Sequence, residues 1–123
     1  MKKALLLSIT AIYLLAQDSN VTQGEQLYTK NGCYGCHGSK AEGANSFPKL
    51  AGKSESYIIK RLHGYKNGTI HSNRADMMTP FAKALNENEI KAIAQYIHSL
   101  GKKKLFDEER YFQDYELGTS SGS

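Results

Sequence analysis

Several features that define particular classes of protein are scarce or missing in this sequence. Its 123 residues include no tryptophan, two prolines and two cysteines. It has no internal repeat, and its one low-complexity stretch is the C-terminal end, Gly118 to Ser123. Together with 40% hydrophobic and 23% charged residues, these absences exclude a repeat array or a disordered chain and predict a small globular domain.

The sequence also lacks strand patterns, because no segment alternates apolar and polar residues over the length of a strand. The predicted fold class is therefore all-α. Four helices are predicted: about 22 to 31, opened by the capping pair Thr22 and Glu25; Ser54 to about Lys66; a short one from Thr79-Pro80 to Leu85; and Asn86 to Leu100-Gly101. Irregular stretches are expected from Gly38 to Gly52 and from Thr69 to Met78.

The N-terminal segment, residues 1–16, has the pattern of a secretory signal peptide. Met1-Lys2-Lys3 supplies the positive start, and the apolar run from Ala4 to Ala16 is too short to cross a bilayer comfortably. Cleavage after Ala16 would put Leu14 where a small residue is preferred, so cleavage and retention as a membrane tether both stay open. The segment predicts export and a periplasmic location.

The remainder divides by charge into a body, residues 17–104, and a C-terminal extension, residues 105–123. From Val21 to Lys104 there are eleven lysines and two arginines against six acids, a net charge of +7. The extension is rich in aromatic residues and has five acids and one arginine, a net charge of −4. The basic body predicts partners with acidic docking faces, and no basic helix or stacking array indicates nucleic acid.

The two cysteines stand together in Cys33-Tyr34-Gly35-Cys36-His37. A disulfide or a thiol redox centre at this spacing usually accompanies a βαβ pattern, which is missing, and a zinc site would need a fourth ligand from scattered histidines. Neither explains the histidine directly after the second cysteine. Cys-x-x-Cys-His is the attachment motif of c-type haem, in which two thiols bond to the vinyl groups and the histidine ligates iron.

From about Val21 to Leu100 the chain resembles a class I c-type cytochrome of the small bacterial monohaem kind. Beside the haem motif, the resemblance rests on Gly24 with Tyr28, Phe47 to Gly52 (FPKLAG), Met78, and Ile93 with Tyr96. It implies the small cytochrome c fold: about four helices wrapped around one haem c held by Cys33 and Cys36, with the first and last helices crossing at Gly24, Tyr28, Ile93 and Tyr96.

The same resemblance implies that the Pro48 carbonyl accepts a hydrogen bond from His37, and that His37 and Met78 are the two axial ligands of the iron. Spacing alone does not choose between Met78 and its neighbour Met77. A bis-histidine haem through His71 or His63 is an alternative, whereas His98 is expected at the surface or in the C-terminal turn of the last helix.

The function predicted is that of a periplasmic one-electron carrier that is not itself an enzyme. Its partners would be periplasmic or membrane-bound redox proteins. One alternative is the haem-bearing electron-transfer subunit of a periplasmic dehydrogenase, with the extension as a docking arm. Another is a haem with an open sixth position that binds gas or peroxide.

Overall fold

The computed structural model describes residues 19–118, with side chains as far as Lys102. The predicted signal peptide lies outside the described residues. Within them the chain forms five helices: α1 (19–30), α2 (Tyr34–His37), α3 (Glu55–Lys66), α4 (Asn73–Lys83) and α5 (Glu87–Gly118). The described part has no strand beyond one isolated bridge between Ala44 and Phe47. The all-α prediction is confirmed, and none of the described helices is both long and apolar enough to cross a membrane.

The starts of α3 and α5 lie where capping residues were predicted. The Ser54 hydroxyl accepts a hydrogen bond from the Tyr57 N–H at 3.2 Å, at the start of α3. Before α5, the Asn86 side chain accepts from the Glu89 N–H at 3.0 Å, and the Glu89 carboxylate accepts from the Asn86 N–H at 2.9 Å. This reciprocal pair is a capping box, and it satisfies two backbone donors that a helix start leaves unpaired.

The predicted start of α4 at Thr79 was wrong. The helix begins at Asn73, where the Ser72 hydroxyl accepts a hydrogen bond from the Ala75 N–H at 3.0 Å. Pro80 consequently lies inside the helix rather than at its first position. The early turns went unrecognised because α4 buries only the small side chains of Ala75 and Ala82, so no stripe of large apolar residues marks it.

The predicted end of α5 at Leu100-Gly101 was also wrong, because the helix continues to Gly118. It therefore crosses the boundary predicted between body and extension. Gly101 has a packing role instead: a Cβ atom there would lie 2.5 Å from the Gly52 Cα. The glycine permits the loop to approach α5, and its low helix propensity does not end the helix.

The first and last helices cross closely, as predicted. A Cβ atom on Gly24 would lie 2.1 Å from the Ala92 carbonyl oxygen, so only glycine permits this approach. Next to the crossing, the rings of Tyr28 and Tyr96 pack with centroids 5.5 Å apart. The core around this crossing is built from α1, α3, α4 and α5; its larger buried side chains are those of Leu27, Tyr28, Ile58, Leu62, Leu85, Ile90, Ile93, Tyr96 and Ile97.

Candidate functional site

The two cysteines lie at the turn that follows α1. Gly32 reverses the chain with a φ of 72°, a conformation that favours glycine. Cys33 precedes α2 and Cys36 lies within it; both thiols are free and half-buried. Burial raises the pKa of the Cys33 thiol to about 11. A reactive catalytic cysteine has a lowered pKa, so this environment argues against a thiol redox centre.

His37 ends α2 and is buried, with 7% of its surface exposed. Its Nδ1 lies 3.0 Å from the carbonyl oxygen of Pro48. A carbonyl can only accept, so this hydrogen bond places the proton on Nδ1 and leaves the Nε2 lone pair available for a metal. The ring of Phe47 packs against the imidazole edge-on, with centroids 6.4 Å apart.

The loop from Gly38 to Gly52 holds Pro48 in place through its own backbone. The Ala41 carbonyl accepts hydrogen bonds from the N–H groups of Leu50 and Ala51, at 2.8 and 2.9 Å. Ala41 is fully buried with a φ of 53°. Sequence reasoning did not identify this residue, because alanine rarely adopts a positive φ and nothing in the sequence marks it.

Both ends of this loop are fixed to the helices that form the core. The Tyr28 hydroxyl of α1 donates to the Gly38 carbonyl at 2.8 Å. At the other end, the Gly52 N–H donates to the Ile97 carbonyl of α5 at 3.0 Å. Burial raises the pKa of Tyr28 above its ordinary value, so the hydroxyl stays a donor through the neutral range. The crossing of α1 and α5 thereby supports the position of Pro48.

The two candidate methionines differ in exposure. Both lie in α4, where successive residues point about 100° apart, so they do not share a face. Met77 is 55% exposed, whereas Met78 packs against the hydrophobic core. Arg74, one turn before Met78, donates to the Ser46 carbonyl at 3.1 Å and connects α4 to the loop that contains Pro48.

The other three histidines differ from His37 in their exposure and in their hydrogen-bond partners. The Nε2 of His63 is 3.0 Å from the Glu87 carboxylate, and the Nδ1 of His98 is 3.1 Å from the Lys53 carbonyl oxygen. The side chain of His71 is 74% exposed. His63 is thus occupied in a link between α3 and α5, and His98 is half-buried within α5.

The site fits a covalently attached haem better than a metal ion alone. Among residues 19–102, no three His, Cys, Asp or Glu side chains converge as ligands of one ion. The site contains the free thiols of Cys33 and Cys36, three residues apart, and the buried imidazole of His37, whose Nδ1 is already hydrogen-bonded to the Pro48 carbonyl. Two thioether attachments and one axial ligand need this donor set.

Comparison with known proteins agrees with this arrangement. Residues 21–101 match the family model of cytochrome c. A thiosulfate dehydrogenase electron acceptor from Stutzerimonas stutzeri is 36% identical over 73 residues, 58% of this chain and 34% of the relative. The cytochrome subunit of sulfide dehydrogenase from Chlorobaculum tepidum is 38% identical over 71 residues, 58% of this chain and 62% of the relative.

Cytochrome c-554(547) from Halothiobacillus neapolitanus is 32% identical over 85 residues, 63% of this chain and 92% of the relative. The chain thus spans most of that cytochrome but only about a third of the electron acceptor from Stutzerimonas stutzeri.

The chain belongs to the cytochrome c family, and within it to the small class I c-type cytochromes. It is an electron-transfer haem protein. Membership of this family implies covalently bound haem c, and Cys33 to His37 is the one Cys-x-x-Cys-His motif in the sequence.

Proposed function

We propose that this cytochrome is a periplasmic one-electron carrier, that Cys33 and Cys36 form the two thioether bonds, and that His37 and Met78 are the axial ligands. The observation that carries the proposal is the buried imidazole of His37, whose Nδ1 is 3.0 Å from the Pro48 carbonyl. That hydrogen bond fixes the tautomer, orients the ring and raises the basicity of Nε2.

The residues around the proposed haem site suit this role because their contacts fix their positions. Haem c, when bound, supplies an iron that takes up and releases a single electron. The loop hydrogen bonds at Ala41 and Gly52 hold Pro48 and with it His37, while core packing of Met78 in α4 keeps the thioether sulfur in one environment. Held in this way, His37 and Met78 would ligate the iron with little rearrangement between its oxidation states, and His/Met ligation would favour a high potential.

Location and partners follow from the sequence. The segment 1–16 supports export to the periplasm, where residues 21–104, with a net charge of +7, would meet the acidic docking faces of redox proteins. A retained leader would tether the protein to the membrane. We propose that the chain alone is not an enzyme.

Carbon monoxide binding to the reduced, haem-loaded protein tests the proposal against a haem with an open sixth position. A filled sixth site predicts that the reduced spectrum changes little at neutral pH on exposure to carbon monoxide. Rapid formation of a carbon monoxide complex would overturn the electron-carrier assignment. Mass spectrometry of the denatured protein, which retains haem only if it is covalently bound, verifies the thioether attachment independently.

A second candidate function is the electron-transfer subunit of a periplasmic dehydrogenase. It is favoured by two relatives, one named as an electron acceptor of thiosulfate dehydrogenase and the other as a subunit of sulfide dehydrogenase. Copurification of the native protein with a flavin or molybdenum subunit would support this function. Isolation without such a subunit, with intact reversible reduction, would contradict it.

A further inference from the structure

The long last helix carries an acidic segment away from the basic body. Residues 105–118 are the second part of α5, which runs without interruption from Glu87 to Gly118. In sequence this segment contains Asp107, Glu108, Glu109, Asp114 and Glu116 against the single Arg110. At 1.5 Å per residue, its 14 residues extend over about 21 Å. The tail helix, as we name residues 105–118, is thus a rod with a net charge of −4.

A groove with excess positive charge lies between α3 and α4. Its volume is about 510 Å³, and its lining includes Lys66, Asn67, His71, Asp76, Thr79 and Lys83. The carboxylate of Asp76 is 3.9 Å from the His71 ring. Lys66 and Lys83 therefore account for the excess positive charge of the lining. Asn67 and Thr79 add side-chain donors for carboxylate oxygens. We name this feature the α3–α4 groove.

The α3–α4 groove lies at the end of the body that is remote from the tail helix. Lys66 donates to the Leu85 carbonyl, and His63 pairs with Glu87, so this end of α3 is fixed to the start of α5. The tail helix begins 18 residues further along the same helix, about 27 Å away along its axis. A continuous helix cannot turn back over that distance, and the tail helix does not reach the groove of its own chain.

We propose that the tail helix docks in the α3–α4 groove of a second copy of this chain, and that the reverse contact completes a reciprocal dimer. With two α5 helices antiparallel, the tail of each lies beside the start of the other, where the groove is. The contact is isologous and closes after two copies. Charge complementarity supports it: the tail helix carries −4 and residues 21–104 carry +7, and neutralising tail carboxylates with Lys66 and Lys83 reduces repulsion between the bodies.

Sedimentation of the full-length, haem-loaded protein at low and high salt tests the proposal. We expect dimers at low salt that dissociate toward monomers in about 0.5 M salt, because the contacts are charged and exposed. Lys83→Glu is expected to raise the dimer dissociation constant at least tenfold. The matched control is Lys30→Glu, which reverses an exposed lysine of α1 outside the groove and outside the antiparallel α5 contact, and it is expected to leave dimerisation nearly unchanged.

A charge swap distinguishes docking in the groove from general attraction. Glu108→Lys with Glu109→Lys should weaken the dimer, and adding Lys83→Glu to that variant should recover part of the affinity. Carbodiimide cross-linking of a mixture of ¹⁴N- and ¹⁵N-labelled protein should join tail carboxylates to Lys66 or Lys83 of the other isotope. Far-UV circular dichroism verifies that each variant is folded.

Three results would overturn the proposal. The first is a monomer at every concentration and salt, and the second is a dimer weakened equally by Lys83→Glu and Lys30→Glu. The third is cross-links from the tail helix to groove lysines that occur only within one isotope, which would show that α5 bends and docks on its own chain. None of these readouts depends on electron transfer, so the proposal stands or falls separately from the function.

Discussion

The crossing of α1 and α5 depends on the absence of a side chain at Gly24, and Gly24→Ala measures that dependence. The new Cβ would lie 2.1 Å from the Ala92 carbonyl oxygen and 2.7 Å from the Tyr96 Cβ. The nearest obstruction is backbone, so the helices must separate by more than 1 Å to restore van der Waals distance. Overpacking of this kind costs roughly 1 to 3 kcal/mol, and we take the upper end because the obstruction cannot rotate away.

Alanine also has a higher helix propensity than glycine, which offsets about 1 kcal/mol of that cost. The net expectation is a loss of about 2 kcal/mol in the free energy of unfolding, or a fall of roughly 8 to 16 °C in Tm for a domain of this size. The assay is guanidinium unfolding of the haem-loaded protein, followed by far-UV circular dichroism. It reports the free energy of unfolding directly if the m-value is unchanged.

The matched control is Gly35→Ala in α2, where a new Cβ would have no atom within 4 Å. It makes the same chemical change without a clash, and it is expected to be neutral or more stable by up to about 1 kcal/mol. Equal unfolding free energies for the two variants would refute the claim that the helices meet at Gly24. A Gly24→Ala protein as stable as the wild type would refute it too.

The remaining predictions concern a buried phenol and a helix cap. Tyr28→Phe removes the hydrogen bond to the Gly38 carbonyl and should cost about 1 kcal/mol at pH 7, measured by denaturant unfolding. Because burial raises the pKa of Tyr28, the folded state keeps a proton that the unfolded state loses, so stability is full below about pH 10 and falls as pH rises further. Tyr28→Phe should lessen that alkaline loss, and an equal loss in both proteins would contradict the assignment. Asn86→Ala should cost about 1 kcal/mol by removing the capping box of α5, whereas Asn86→Ser, which retains an acceptor, should be nearly neutral.

Much of the fold was predictable because local chemistry and core packing agree along most of the chain. Ile90, Ile93, Ala94 and Ile97 are spaced as one helical face, and all four are buried in the core. The structural role of each glycine could not be predicted from the sequence. Gly32 ends α1 with a positive φ, but Gly101 lies within α5 and makes room for the loop. A helix-ending glycine and a packing glycine look alike until the neighbouring backbone is known.

The candidate site was predictable only where a short motif carries its own chemistry. Cys33, Cys36 and His37 are adjacent in sequence, so their spacing alone indicated haem attachment. Pro48 came from the resemblance, since its carbonyl meets His37 across a loop that one sequence does not fold. Spacing did not distinguish Met77 from Met78, and their difference in exposure became visible only in α4, which exposes Met77 and packs Met78 against the core.

The roles of Ala41 and Arg74 became visible only in the structure. Ala41 accepts two hydrogen bonds that fix the Pro48 loop, and Arg74 connects α4 to the same loop. Both contacts use backbone carbonyl groups, which every residue has, so the side-chain sequence does not reveal them.

The axial ligation is tested most directly by the optical spectrum of the oxidised protein, recorded for the wild type, Met78→Ala and Met77→Ala. Methionine sulfur bound to ferric haem iron gives a weak absorption band at the red end of the visible spectrum. His37/Met78 ligation predicts that the band is present in the wild type, persists in Met77→Ala and disappears in Met78→Ala. A band that survives Met78→Ala, or one that is missing from the wild type, would contradict it.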